Sequence, residues 1–344
     1  MKTQIRPRIT PEEFDVVKKY RGIKKASEDA GVDIEEVKHG WLKTGNASLF
    51  FKNPKFKDKA IKELEELKSN LIDFVKTESK HVPKKEYKES GKYLLVIDPA
   101  DVHIGKLCTM FGTNNEYNSD IAINRVFEGV KGILNYSKRF DIEEIVFIAG
   151  NDILHTDTPK RTTTSGTPQD TDGMWYDNFT KACELYTSIL TDLSNIAPVR
   201  FIYNPSNHDY TNGFFLAQLV EAYFRNNKNI TCDVSIKHRK YYQYGKNLIG
   251  STHGDGAKID NLASLMAQEV PKLWAETEKR YFYTHHLHHK TGKDLIGCTV
   301  EALRSPSGTD IWHHINGYTG GVKAIEGYLH HKDFGQVARL TYNF

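Results

Sequence analysis

Five short apolar runs, each ending in residues that carry oxygen or imidazole groups, constrain this 344-residue chain more than any other feature. They are YLLVI at 93–97, EIVFIAG at 144–150, VRFIYN at 199–204, NLIGST at 247–252 and RYFYTH at 280–285. Their length and their β-branched and aromatic content read as buried strands. Helical stretches at 120–138 and 174–196 separate some of them. Strands alternating with helices imply an α/β layered domain whose chemistry sits on the loops leaving the strand C-termini.

Those loops hold the unusual residues. Asp101-Val102-His103-Ile104-Gly105 follows the first run, Gly150-Asn151-Asp152 the second and Asn207-His208-Asp209 the third. His253-Gly254-Asp255 follows the fourth and His285-His286-Leu287-His288-His289 the fifth. Singly each is weak, since a lone histidine is more often a satisfied polar residue than a ligand. Together they place carboxylate, amide and imidazole groups at one sheet edge with no thiolate among them, a donor set suited to a borderline divalent metal.

The order DxH, G(N)D, NHD, H, HxH resembles the five signature motifs of calcineurin-like metallophosphoesterases and spans 93–290. The resemblance implies a layered sandwich of two mixed sheets flanked by helices. It implies one metal held by Asp101, His103, Asp152 and His288. Asp152 would bridge to a second metal, also held by Asn207, His253 and His286. His208 would give a proton to the leaving oxygen, and Asp209 would orient its imidazole. Two departures stand out: Asn151 intervenes between Gly150 and Asp152, and His285 takes the place where the fifth motif usually begins with Gly. With four histidines in five positions, the choice of His286 and His288 over His285 and His289 stays open at this level. Two such cations, typically about 3.5–4 Å apart, generate hydroxide near neutral pH and neutralise phosphate oxygens. The nitrogen-rich set favours Mn²⁺, with Fe or Zn²⁺ as alternatives, over Ca²⁺.

Composition adds less. Residues 1–91 carry 21 Lys/Arg against 16 Asp/Glu, and residues 92–344 carry 26 against 28, so the basic excess lies in the N-terminal quarter. That points weakly to a polyanionic partner. The four cysteines form no CxxC pair, which argues against a disulfide framework or thiolate site. No signal peptide and no membrane-length apolar run is evident, so a cytoplasmic protein without a membrane partner is expected, in the host cytoplasm if phage-encoded. Phosphate-loop and dinucleotide fingerprints are lacking.

Three segments are expected: a helical domain over 1–50, an amphipathic helix with a polar linker over 51–91, and the catalytic domain over 92–344. Thr10-Pro11-Glu12-Glu13 reads as a helix start. Helices over 22–30 and 34–44 about Gly31-Val32-Asp33 resemble a DNA-binding helix-turn-helix with Val37 and Trp41 inward. Packing or oligomerisation is the alternative role. Leu64, Leu67, Leu71, Phe74 and Val75 form a helical stripe, and 79–91 reads as a linker. The polar segment 156–178, with Lys160, Arg161 and Trp175, is a candidate grip on a phosphate backbone. The tail 299–344, with Asp310, Trp312, His313 and His314, reads as sheet completion and rim.

The functional expectation is a two-metal phosphodiesterase, a nuclease acting on DNA ahead of RNA. It resembles phage- and prophage-encoded phosphoesterases and SbcCD-type nuclease subunits. The alternatives are a phosphomonoesterase or cyclic-nucleotide phosphodiesterase, assembled as a homo-oligomer through its N-terminal segment, and a DNA-binding regulator with an inactive fold.

Overall fold

The computed structural model describes residues 31, 33, 37–44, 47–53, 56, 59–78, 83–87 and 91–344. The chain divides into two compact units, Met1–Asn70 and Leu71–Phe344.

In the first unit, β1 (His39–Thr44) pairs antiparallel with β2 (Ala47–Lys52). This departs from the helix expected over 34–44. Trp41 is 61% exposed and meets Phe50, its cross-strand partner, edge to face at 5.2 Å. The physical reason is local: Gly45-Asn46, residue types that tolerate positive φ, separate two runs rich in aromatic and β-compatible residues. Residues 8–30, which carry the other expected helices, lie outside the described residues. Helix α1 (Lys59–Glu78) covers the expected stripe, of which Leu67 is buried and Leu71, Phe74 and Val75 are half-buried. In the second unit its residues Leu71 and Phe74 serve the core, Leu71 packing on the main cluster and Phe74 stacking on Tyr223 at 5.1 Å. Residues 83–87 belong to that unit as well and are tied down rather than free. The Lys85 amide donates to Asn229 Oδ1 at 2.7 Å, and Tyr87 Oη donates to the Ser194 carbonyl at 2.8 Å.

The second unit is built on two mixed sheets. The first has the order β13 (Gly335–Asn343), β12 (Ala324–His331), β3 (Tyr93–Asp98), β4 (Ile142–Gly150), β5 (Val199–Asn204), β6 (Ile230–Asp233). Strands β3 to β6 run parallel, while β12 is antiparallel to both its neighbours. The second sheet has the order β10 (Thr291–Leu295), β11 (Cys298–Ala302), β9 (Lys279–Thr284), β8 (Asn247–Thr252), β7 (Lys240–Tyr244). Parallel pairing of β11, β9 and β8 is flanked by antiparallel edges.

Strand alternation sets the layers. Leu94, Val96, Val146, Ile148 and Tyr328 of the first sheet face Ile249 and Tyr283 of the second in an inter-sheet cluster. The alternate residues Leu95, Ile97, Ile145 and Phe147 pack outward against α3 (Ser119–Ser137), α4 (Trp175–Leu193) and α5 (Tyr210–Phe224). The far face of the second sheet buries Phe282 and Val300 under α6 (Leu262–Glu269). The order is therefore helix, sheet, sheet, helix, and the strands followed by candidate ligands sit in the parallel part of each sheet. All four cysteines are free, and among the described residues no helix is long and apolar enough to cross a membrane.

Candidate metal centre

Loops following β3, β4, β5, β8 and β9 converge at the C-terminal ends of those strands, where main-chain hydrogen bonds tie them to one another. The Asp101 and His103 amides donate to the Asn151 and Asp152 carbonyls, each at 2.9 Å, and the His285 amide donates to the His253 carbonyl at 2.8 Å. Gly150, at φ +88°, is required here: a Cβ would come within 1.9 Å of the Asn204 carbonyl oxygen.

Backbone strain marks the same place. Asp101 (51°), His103 (51°), Asn151 (54°), Asp152 (61°), His286 (69°) and His288 (57°) all have positive φ. They are six of the eight non-glycine residues in that region among the described residues. Each costs on the order of 1–3 kcal/mol and persists only where the surroundings impose it, which is characteristic of functional sites.

Two donor groups combine carboxylate with imidazole, and a third, His103, His155 and His208, is all imidazole and shares His103 with the first of them. Asp101, His103 and His288 offer ligand atoms that all lie within 4.8 Å of one another, as do Asp152, His253 and His286. Asp152 faces both: its Oδ2 is 3.8 Å from His103 Nε2 and 3.3 Å from His253 Nε2. Asn207 Oδ1 lies 2.9 Å from His253 Nε2, which puts the third-motif amide beside the second group. Asp101 Oδ1 is 3.5 Å from His288 Nε2, and its two oxygens accept the His286 amide at 3.1 and 3.2 Å.

The open choice within the fifth motif is resolved by geometry. His285 is buried beneath the site, with Nδ1 3.0 Å from the Thr252 carbonyl and Nε2 2.9 Å from Asp98 Oδ2. His289 is exposed and its Nδ1 lies 2.7 Å from the Leu287 carbonyl. Only His286 and His288 enter the donor groups.

These residues fit divalent cations. Asp101 and Asp152 are at most 1% exposed, and among the described residues neither pairs with a lysine or arginine. Two such carboxylates side by side are costly unless positive charge compensates them. His103 Nε2 and His288 Nε2 face each other at 3.2 Å, and a single proton cannot satisfy both rings and the adjoining carboxylates. His253 Nδ1 is buried with no hydrogen-bond partner among the described residues. Donor atoms about 3–4 Å apart are what ligation at roughly 2.0–2.2 Å produces.

The electrostatics agree. Burial, aided by neighbouring imidazoles, pushes His103 well below its ordinary value, and burial holds His288 down at about 4 against the pull of Asp101. Burial works against ionised Asp152, but His253 and His208 outweigh it and keep its carboxyl below the usual range. Neutral imidazoles beside an ionised carboxylate are the protonation states a metal requires. His253 is the exception: burial opposes its charge, yet Asp152 and then Asp101 raise it to about 9, so without a cation a proton partly offsets the two acids.

His208 lies beside the donor groups, its ring 4.6 Å from that of His103 and edge-on to it. Its Nδ1 is 3.0 Å from the His155 carbonyl, so Nδ1 must be the protonated donor and Nε2 is left for exchange with a ligand. The expectation that Asp209 orients this imidazole is corrected. The fully buried Asp209 instead accepts Ser206 Oγ at 2.6 Å on Oδ1 and the Leu154 amide at 2.8 Å on Oδ2. Ser206 Oγ in turn accepts the Asp152 amide at 2.7 Å, so Asp209 braces the loop that presents Asp152. Burial, with the Asp152 charge behind it, raises its pKa to about 7.

Sequence reasoning missed His155, which is buried with Nδ1 3.3 Å from His103 Nδ1 and its ring stacked on His208. It stands three residues after Asp152 in an apolar context, where no motif points to it. The tail contributes more than rim. Lys106, 1% exposed, lies 2.9 Å from Asp310 Oδ2, and Asp310 Oδ1 accepts His313 Nδ1 at 2.7 Å. The His313 ring stacks on His288 at 5.0 Å, whereas His314 is exposed. In the polar loop, Thr158 and Thr162 bond each other and Thr164 bonds Asp157, so these hydroxyls serve the loop itself. Trp175 is half-buried at the start of α4, and Lys160 and Arg161 are exposed.

No family model matches the chain, and no curated protein matches it. Solved structures do show a distant likeness. A single mutant of Vps29 from Entamoeba histolytica is 13% identical, with a TM-score of 0.32 over 73% of this chain and 99% of that one. A predicted phosphoesterase from Streptococcus pneumoniae TIGR4 is 13% identical, with a TM-score of 0.27 over 73% and 97%. Wild-type Vps29 from Entamoeba histolytica complexed with Zn²⁺ is 11% identical, with a TM-score of 0.28 over 73% and 98%. At such distances the chain's chemistry has to be judged from its own residues.

Proposed function

We propose that this chain is a metal-dependent phosphoesterase of the calcineurin-like type that cleaves phosphodiester bonds in nucleic acid, DNA being the favoured substrate. One observation carries the reading: two donor groups, Asp101–His103–His288 and Asp152–His253–His286, adjoin at the C-terminal ends of the parallel strands of two mixed sheets, with Asp152 facing both.

When bound, a pair of divalent cations there supplies acidified water and neutralises phosphate charge. The remaining work falls to the protein. Asp152 is ionised and held on both sides, its amide by Ser206 and its Oδ1 by the His208 amide at 3.0 Å. The strained loops fix the donor atoms before any ligand arrives, so little reorganisation is left to the reaction. His208 keeps one proton on Nδ1 through the His155 carbonyl, and its Nε2 is the atom that would carry a proton to the departing oxygen. Mn²⁺ is the preferred cation, with Fe or Zn²⁺ accommodated by the same donors. The basic excess of residues 1–91 supports a polyanionic substrate.

A panel of bis-p-nitrophenyl phosphate, p-nitrophenyl phosphate and labelled single- and double-stranded DNA, each with Mn²⁺, tests the assignment. Cleavage of the diester and of DNA is expected. Hydrolysis of the monoester alone would replace the reading with a phosphomonoesterase.

A further inference from the structure

The rim of the metal centre carries exposed rings that the chemistry above does not use. Starting from the candidate ligand His288, ring centroids step 5.0 Å to His313, 5.1 Å on to Trp312 and 5.9 Å on to Tyr318. His313 lies nearly parallel to His288, at 22°. Trp312 and Tyr318 are 62% and 60% exposed, and Ile315 beside them is 76% exposed. Helix α7 (Ile311–Ile315), which carries Trp312, His313 and Ile315, adjoins the short helix α2 (Met110–Thr113), whose Phe111 is fully exposed. Large apolar side chains this exposed and this contiguous mark a binding surface.

Two features make the array rigid rather than incidental. His313 is anchored by Asp310, which also caps α7 by accepting the His313 amide at 2.8 Å. Asp310 is in turn held by buried Lys106 at 2.9 Å. Charge is the second feature. Segments 102–115 and 311–325 contain no aspartate or glutamate, and the charge of neighbouring Asp310 is balanced by Lys106 at 2.9 Å.

We propose that Trp312, supported by Tyr318 and Phe111, is a stacking platform for bases of a single-stranded nucleic acid whose phosphate occupies the metal centre. The proposal rests on the phosphodiesterase reading for the role of that phosphate. Stacking on aromatic faces is sequence-tolerant, because every base has a π-face, and it complements a site that recognises only the backbone. The continuity of the rings with His288 singles out the substrate strand itself as the occupant.

The test is a fluorescence-anisotropy titration of a labelled, hydrolysis-resistant phosphorothioate oligothymidylate with Mn²⁺, using the full chain, Trp312→Leu and Trp312→Phe. Because Trp312 is mostly exposed, both variants should fold as the parent does. Dissociation constants are expected to rise about tenfold in Trp312→Leu and to return most of the way in Trp312→Phe, in line with the usual stacking contribution. Equal affinity in all three proteins overturns the platform. So does a change of molecular mass in Trp312→Leu at unchanged affinity, which would make this face a contact between copies of the chain. Hydrolysis of methyl p-nitrophenyl phosphate with Mn²⁺ is measured alongside. Its absence in the parent chain would defeat the phosphodiesterase reading while leaving the binding result to judge the platform.

Discussion

At the scale of single residues, the two roles assigned to Asp152 and His208 separate experimentally. Asp152→Asn is expected to lower bound metal per chain, because an amide cannot balance two cations. His208→Ala should keep its metal and slow turnover by roughly 10²–10⁴, the usual worth of a general acid. That loss should shrink for substrates with good leaving groups, and stripping of metal by His208→Ala would make His208 a ligand. Asp209 is expected to behave unlike His208. Removing its buried carboxylate in Asp209→Ala orphans Ser206 Oγ and the Leu154 amide, at a cost of about 2 kcal/mol in urea unfolding. Its rate ratio between good and poor leaving groups should stay at the parent value; a ratio shifted as in His208→Ala would restore Asp209 to the imidazole. The residues that meet in the donor groups stand at strand ends, where carboxylates and imidazoles have few structural uses. The error over Asp209 and the omission of His155 share a cause: both contacts depend on loops meeting in space. The family resemblance assigned Asp209 to the His208 imidazole, whereas its carboxylate turns to Ser206 and the Leu154 amide.

At the scale of elements, the buried strands could be read because each is an uninterrupted apolar run, and β3, β4, β5, β8 and β9 fall within two residues of expectation. Two edge strands could not: β7 and β10 mix polar and apolar residues, and their pairing decides them. Helix α5 was hidden by its nearly all-round apolar sequence, which carries little amphipathic signal. The hairpin at 39–52 replaced a helix because turn chemistry overrode a weak helical pattern. Packing of one sheet on the other makes its own prediction through His330 of β12, which is buried 2.8 Å from Tyr283 Oη of β9. Burial lowers its pKa to about 3. The unfolded chain therefore binds the extra proton between its ordinary value of 6.5 and 3, so stability is full above pH 6.5 and falls as the pH drops below it. Between pH 7 and pH 5 this single group should remove roughly 2 kcal/mol. Urea unfolding of the parent and of His330→Gln at both pH values checks this, and an equal loss in the two proteins would refute it.

At the scale of the whole molecule, every candidate ligand lies in the unit Leu71–Phe344, and α1 crosses the boundary to reach its core. Deleting residues 1–58 keeps that helix and should leave hydrolysis of a small diester within about twofold. Affinity for duplex DNA should fall and its salt dependence flatten, each lost phosphate contact removing about 0.9 from the slope of log K against log salt. Unchanged affinity and slope would mean that the N-terminal residues do not read DNA. The layered α/β class followed from alternating strands and helices, while the division into two mixed sheets was implied only by the family resemblance, because strand order depends on pairings between distant segments. The central claim, that paired cations at Asp152 drive phosphodiester hydrolysis, is tested most directly by one titration. Bis-p-nitrophenyl phosphate hydrolysis is followed as Mn²⁺ is returned to chelated protein, with bound metal counted in parallel. The account predicts no turnover in the chelated protein and full activity only as the second equivalent binds. Undiminished hydrolysis in excess EDTA would contradict it.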